Sequence, residues 1–130
     1  HTAIWSQMLC DEFMATVDYP AHLAGLQDLY REKAALMAKL LDEHLVPLGI
    51  TYHPIEGGLF LWCDLPEGVD MLAFCSKAVQ EYQVAVVPGS AFSINDEPSR
   101  SFRVNFSTPT DEAMIRGVQR LGECAREFLK

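Results

Sequence analysis

Apolar residues recur along this chain with two different periods, and the change of period divides it. From Ile4 to Val17 the spacing is near that of a helix: Ile4, Met8, then Cys10 to Phe13. Asp18-Tyr19-Pro20 interrupts the pattern. A second, longer helix is predicted from near Pro20, because proline lacks an N–H that the first helical turn leaves unpaired anyway. Leu23, Leu26, Leu29-Tyr30, Met37, Leu40-Leu41 and Leu45 give it one apolar stripe over about six turns. Pro47 and Gly49 end it.

Beyond Gly49 the period drops to two. Ile50 to His53 and Leu59 to Leu65 read as an antiparallel hairpin turning at Glu56-Gly57-Gly58. Pro66-Glu67-Gly68 closes it. Asp70 is the expected N-cap of a helix running to about Tyr82, with Leu72, Cys75-Ser76 and Val79 inside. Val84 to Val87 is a short buried strand stopped by Pro88-Gly89, and Asn95-Asp96-Glu97-Pro98-Ser99 lies in a polar loop. Phe102 to Ser107 forms the last strand, with Phe102, Val104 and Phe106 on one face and Arg103, Asn105 and Ser107 on the other. Thr108 then caps a final helix with Pro109 at its first position. Its buried stripe is Val118, Leu121, Ala125 and Phe128.

The order is helix, helix, strand, strand, helix, strand, strand, helix. It predicts an α+β fold: a small, mainly antiparallel sheet of three to four strands with helices packed on one face. At 130 residues the chain reads as one domain. A formal net charge of −8, with no run of basic residues, argues against nucleic acid or an anionic membrane as partner. Cys10, Cys63, Cys75 and Cys124 form no C-x-x-C pair and no zinc spacing. Without a visible signal peptide they read as four reduced thiols of a cytoplasmic protein, with no metal site expected. The first residue is His1, and the sequence opens straight into a helical pattern, which reads as a piece of a longer chain.

Arg103 carries the chemistry. Its guanidinium is either a solvated surface charge or a planar fork for a carboxylate, able to give two parallel hydrogen bonds. Asn105 on the same face can add a donor. Gly57-Gly58 is either a plain turn or a place where backbone approaches a ligand. Pro88-Gly89-Ser90 lacks the glycines and trailing lysine of a phosphate loop. The aromatic run Phe60-Leu61-Trp62 is read as core. His1, His22, His44 and His53 form no catalytic set, and none of Lys33, Lys39, Lys77 and Lys130 shows the setting of a catalytic amine.

These same segments resemble a known family. P-I-E-G-G-L-F-L-W-C-D-L-P at Pro54 to Pro66, V-V-P-G-S-A-F at Val86 to Phe92 and F-R-V-N-F-S at Phe102 to Ser107 are similar to the small C-terminal domain of fold-type-I pyridoxal-phosphate aminotransferases. H-L-A-G-L-Q-D-L-Y-R-E-K at His22 to Lys33 resembles the long helix before it. The nearest branch holds aminoadipate- and kynurenine-type aminotransferases and the aminotransferase-like modules of bacterial regulators. The resemblance gives Arg103 the role of gripping the substrate carboxylate, and sets Phe92, Gly57 and Gly58 near the substrate mouth. It makes residues 1–20 a connecting helix from a large domain. That domain would hold pyridoxal phosphate and the Schiff-base lysine, since no S-x-K-x-x-x-x-G-x-R segment occurs here. The resemblance thus implies an amino acid and a 2-oxo acid as substrates, a homodimer when intact, and no cofactor or transamination for this chain alone. Two alternatives stand beside it: the effector-sensing domain of a transcription regulator, and a cofactor-free protein-binding domain.

Overall fold

Helix α1 (Ile4–Thr16) ends where the interruption was expected. Asp18 does more than break it: its Oδ1 accepts from Ala21 N at 3.1 Å and so caps α2 (Tyr19–His44), with Pro20 in the first turn. The computed structural model describes residues 2–94 and 98–130. His1 and the Asn95-Asp96-Glu97 part of the expected polar loop lie outside the described residues. The chain forms two compact units, His1–Glu32 and Lys33–Lys130. In the first, α1 buries no residue, and Ile4, Trp5, Met8, Leu9 and Met14 are all more than half exposed. Phe13 meets the His22 ring edge-on.

The second unit holds the core. Met37, Leu40 and Leu41 of α2 are buried, as is Leu45 beyond it. A short 3-10 turn, Val46–Leu48, then leads to Gly49 at φ +87°, a left-handed conformation that glycine adopts without strain. Strands β1 (Thr51–Tyr52), β2 (Phe60–Asp64), β3 (Val87–Pro88) and β4 (Ser101–Asn105) form one sheet in the order β1-β2-β4-β3, with every neighbouring pair antiparallel. The expected α+β fold and strand count are therefore found. Pro88 ends up on the edge strand, where its missing N–H breaks no ladder.

One face of the sheet is core: Leu61, Cys63, Phe102 and Val104 are buried there, continued by Leu65 and Phe106. Helices α3 (Met71–Gln80) and α4 (Asp111–Phe128) pack on it with the second half of α2. Phe74 of α3 lies 5.6 Å, centroid to centroid, from both Phe102 and Phe128. Gly122 of α4 is approached by α2 so closely that a Cβ there would stand 3.1 Å from His44 Cβ. Tyr52 Oη donates to Asp42 at 3.0 Å, and Lys77 Nζ joins α3 to α4 by reaching Glu127 at 2.8 Å.

Three details correct the expectations. The inner side of α3 is Met71, Phe74, Cys75 and Ala78, while Leu72 and Val79 face solvent and Ser76 is exposed. The helix carries two apolar stripes, and the one containing the large Phe74 ring wins the core. The cap of α4 is Thr110, not Thr108: its Oγ1 accepts from Ala113 N at 3.3 Å, and Pro109 lies before the helix. Thr108 is engaged by Asn105 instead. The third strand is Val87–Pro88 rather than Val84 to Val87, because only these two residues pair with β4. The Asp70 cap of α3 is as expected, accepting from Ala73 N at 3.0 Å.

Candidate functional site

Strand alternation sets Phe60, Trp62 and Asp64 of β2, and Ser101, Arg103 and Asn105 of β4, on the face away from the helices. The register places Arg103 opposite Trp62 on one side and Val87 on the other, near the middle of the sheet. The reading of Phe60-Leu61-Trp62 as core thus holds for Leu61 alone. Phe60 is 40% exposed and Trp62 is half-buried. A signal was present: Phe60 and Trp62 share their parity with Asp64, an acid that does not enter a small core unpaired.

The half-buried Arg103 guanidinium lies over two aromatic rings. Its Cζ is 4.1 Å from the Phe60 centroid and 4.7 Å from that of Phe92. Each such contact is worth about 0.5–1 kcal/mol at exposed sites and more as water is excluded. Trp62 braces the arrangement, meeting Phe92 edge-to-face at 5.3 Å and 84°. Phe92 arrives on the 3-10 turn Gly89–Phe92, which lies directly against β4. A Cβ on Gly89 would stand 2.5 Å from Ser99 Oγ and 2.6 Å from Ser101 O. Gly89 is therefore more than a strand stop. Its missing side chain is what lets the turn carrying Phe92 settle on the sheet.

Among the described residues, the Arg103 guanidinium makes no ion pair and donates no hydrogen bond. The acid on its own face, Asp64, is already occupied. It accepts from Ser101 Oγ, and its Oδ2 lies 3.2 Å from His53 Nε2. Toward the described residues, Arg103 thus keeps five N–H donors, in a fork geometry that matches a carboxylate.

The other sequence candidates fall at different distances from this fork. Phe92 touches it. Asn105 stands two residues along the same strand face, with its Oδ1 accepting from Ser107 N at 2.8 Å and Ser107 Oγ at 2.9 Å. Its Nδ2 donates to Thr108 Oγ1 at 3.0 Å, leaving one N–H for a ligand. Gly57 and Gly58 lie in the connection that delivers Phe60, and Gly58 takes φ +81°.

Three of the four thiols and Lys77 are held in their protonated states. Burial, then the neighbouring Asp64 charge, pushes Cys63 up to about 12, and burial first of all pushes Cys75 and Cys124 to about 11. Cys10 is exposed, and all four are free thiols. Lys77 Nζ sits between Glu127 and Glu81, and hydrogen bonds to both hold its proton above the usual lysine range. Lys33 Nζ donates to the Pro109 carbonyl. Lys77, held this way, does not shed its proton readily. Among the described residues no cluster of three His, Cys, Asp or Glu could hold a metal ion. None of the described helices is long and apolar enough to cross a membrane.

A small antiparallel sheet thus carries helices on one face and, on the other, a guanidinium without a polar partner among the described residues. Residues 4–121 match the aminotransferase class I and II family, and the chain belongs to it. It is 32% identical over 129 residues to aromatic-amino-acid aminotransferase 1 of Thermococcus litoralis, covering 99% of this chain and 30% of that protein. It superposes on the α-aminoadipate aminotransferase LysN of Thermus thermophilus, solved with N-(5'-phosphopyridoxyl)-L-leucine, with a TM-score of 0.90. Identity there is 32%, over 99% of this chain and 32% of LysN. It is also 30% identical over 123 residues to the HTH-type transcriptional regulator YdcR of Escherichia coli, covering 95% of this chain and 26% of the regulator. The chain spans about a quarter to a third of the length of these proteins.

Proposed function

We propose that this chain is the small C-terminal domain of a pyridoxal-phosphate-dependent aminotransferase, and that Arg103 binds the substrate carboxylate there. The observation that carries the reading is a half-buried guanidinium on an open sheet face, seated over two rings with every N–H free among the described residues. A guanidinium never gives up its charge, so it favours an anion in every protonation state of the enzyme. Two parallel hydrogen bonds fix the carboxylate's plane and hence the direction of the bonds at the α-carbon. Phe92 closes one side of the fork, and Asn105 offers its remaining N–H nearby. Residues 1–20 serve as the helix connecting to a large domain, whose surface covers the exposed Ile4, Trp5 and Met8.

Pyridoxal phosphate supplies the electron sink when bound and belongs to that large domain; Lys77, its proton held by two carboxylates, is no anchor for it. The substrates are an amino acid and a 2-oxo acid, and the intact protein is a cytoplasmic homodimer. The chain by itself binds no cofactor covalently and does not transaminate.

The test is Arg103→Ala in the intact protein. Truncating one partner of a desolvated charge pair costs about 2–5 kcal/mol, so the Kd for L-phenylalanine or L-2-aminoadipate should rise at least about thirtyfold. The cofactor's absorbance and stoichiometry should be unchanged. Wild-type substrate affinity in the variant would defeat the assignment.

The match to a transcription regulator favours a second reading, in which the same lobe binds an amino-acid effector as a signal. The complete reading frame distinguishes the two. A helix-turn-helix segment ahead of the large domain selects the regulator, and its absence selects the enzyme.

A further inference from the structure

The Arg103 guanidinium is not held in place by polar contacts, since among the described residues it donates no hydrogen bond and makes no ion pair. What fixes the guanidinium is aromatic. Cζ lies 4.1 Å over Phe60 and 4.7 Å over Phe92, and Phe92 in turn packs nearly perpendicular to Trp62, with centroids 5.3 Å apart. These rings are poor core residues. Phe60 is 40% exposed and Phe92 48% exposed, on a face where the helices do not pack. A solvated arginine needs no such seat. We infer that Phe60, Phe92 and Trp62 are positioning residues that hold the Arg103 fork in the orientation in which it receives the substrate carboxylate.

The physical effect is twofold. Ring faces attract the cation through their quadrupole and offer no oxygen acceptor to its N–H groups, which remain for the ligand. Fixing a long, rotamer-rich side chain before binding also removes an ordering cost that binding would otherwise carry. Leucine at these positions keeps apolar bulk but has no quadrupole, whereas tyrosine keeps the ring. The inference rests on the carboxylate-binding role of Arg103, and the experiment separates the two.

In the intact protein, Phe60→Leu and Phe92→Leu are compared with Phe60→Tyr, Phe92→Tyr and Arg103→Ala. Single-turnover half-reactions are followed with L-phenylalanine and L-2-aminoadipate. Each leucine variant should raise Kd about three- to tenfold with the limiting rate within about twofold, because seating acts on ground state and transition state alike. The tyrosine variants should stay near wild type. If the leucine variants bind like wild type while Arg103→Ala does not, the seat is refuted and the carboxylate role stands. If Arg103→Ala also binds normally, the underlying reading falls with it.

A second measurement needs no aromatic substitution. With 13C-labelled arginine, the Arg103 δ protons, assigned by their loss in Arg103→Lys, should lie upfield of free arginine through ring-current shielding. Shifts at the free value would overturn the seat.

Discussion

Gly89→Ala tests whether one missing methyl group positions the site. The new Cβ would stand 2.5 Å from Ser99 Oγ and 2.6 Å from the Ser101 carbonyl oxygen, well inside any relaxed contact. Ser99 Oγ can swing away, but it then gives up the hydrogen bond it accepts from Ser101 N at 3.1 Å, about 1 kcal/mol. The Ser101 carbonyl cannot swing, because Ser101 is the first residue of β4 and pairs with Asp64. Overpacking of this kind costs about 1–3 kcal/mol, so the two effects together give about 2–4 kcal/mol. Two other glycines are controls. A Cβ on Gly57 meets nothing within 4 Å, and its Ala variant should stay within about 0.5 kcal/mol of wild type. Gly58 also has room, but at φ +81° an alanine should cost about 1–2 kcal/mol. Equilibrium urea unfolding of the chain measures all three. The ranking refutes the argument if Gly89→Ala is no worse than Gly57→Ala. A loss of stability with Arg103 δ-proton shifts unmoved would instead break the link between Gly89 and the Phe92 seat.

The remaining predictions concern the core and its thiols. Phe74 is fully buried against Phe102 and Phe128, so Phe74→Ala should lose about 3–5 kcal/mol by urea unfolding. Cys63, Cys75 and Cys124 have their thiols pushed up to about 12, 11 and 11. Above pH 9 the unfolded chain gives up protons that the folded chain retains. Stability should therefore be full below pH 9 and fall as pH rises toward 11–12, by up to about 1.4 kcal/mol per pH unit per thiol. A urea-unfolding series from pH 8 to 10.5 checks this, and Cys63→Ala should flatten the slope.

Most of the fold was legible because long periodic segments fix it. The eight elements occur in the expected order, and the Phe102, Val104, Phe106 face is buried as its alternation required. Where the reading slipped, two residues competed for one role. Leu72 and Val79 form an apolar stripe beside that of Met71, Phe74 and Ala78, and only the sheet decides which faces inward. Thr108 and Thr110 flank Pro109, and Asn105 decides the cap by occupying Thr108. Arg103 could be picked out as a fork, but not its aromatic seat. Phe92 comes from a turn ten or more residues from either strand partner in the chain, and no period links it to Phe60. Gly89 was legible as a break, whereas its packing against Ser99 and Ser101 is a tertiary fact.

An aminotransferase and an effector-sensing domain need the same first event at this face: an amino acid's carboxylate meeting a fixed guanidinium. They part at the next step, because transamination requires a base that moves the α-proton, and Lys77, bound between Glu127 and Glu81, holds its own proton too firmly for that. Weakening Arg103 or its seat should therefore reduce amino-acid binding under both readings, while formation of a 2-oxo acid product separates them. This division of labour also accounts for the chemistry of the open face. Phe60 and Phe92 leave two partly exposed rings around a cation, a poor arrangement for a surface left in water. Under the proposed function it would become favourable once a ligand and a second lobe exclude water, because the charge-assisted hydrogen bonds of the fork would then act in a lower dielectric. The apolar surface of α1, from Ile4 to Met14, makes the same demand in its own unit. Under the proposed function, both surfaces would meet the rest of a larger protein.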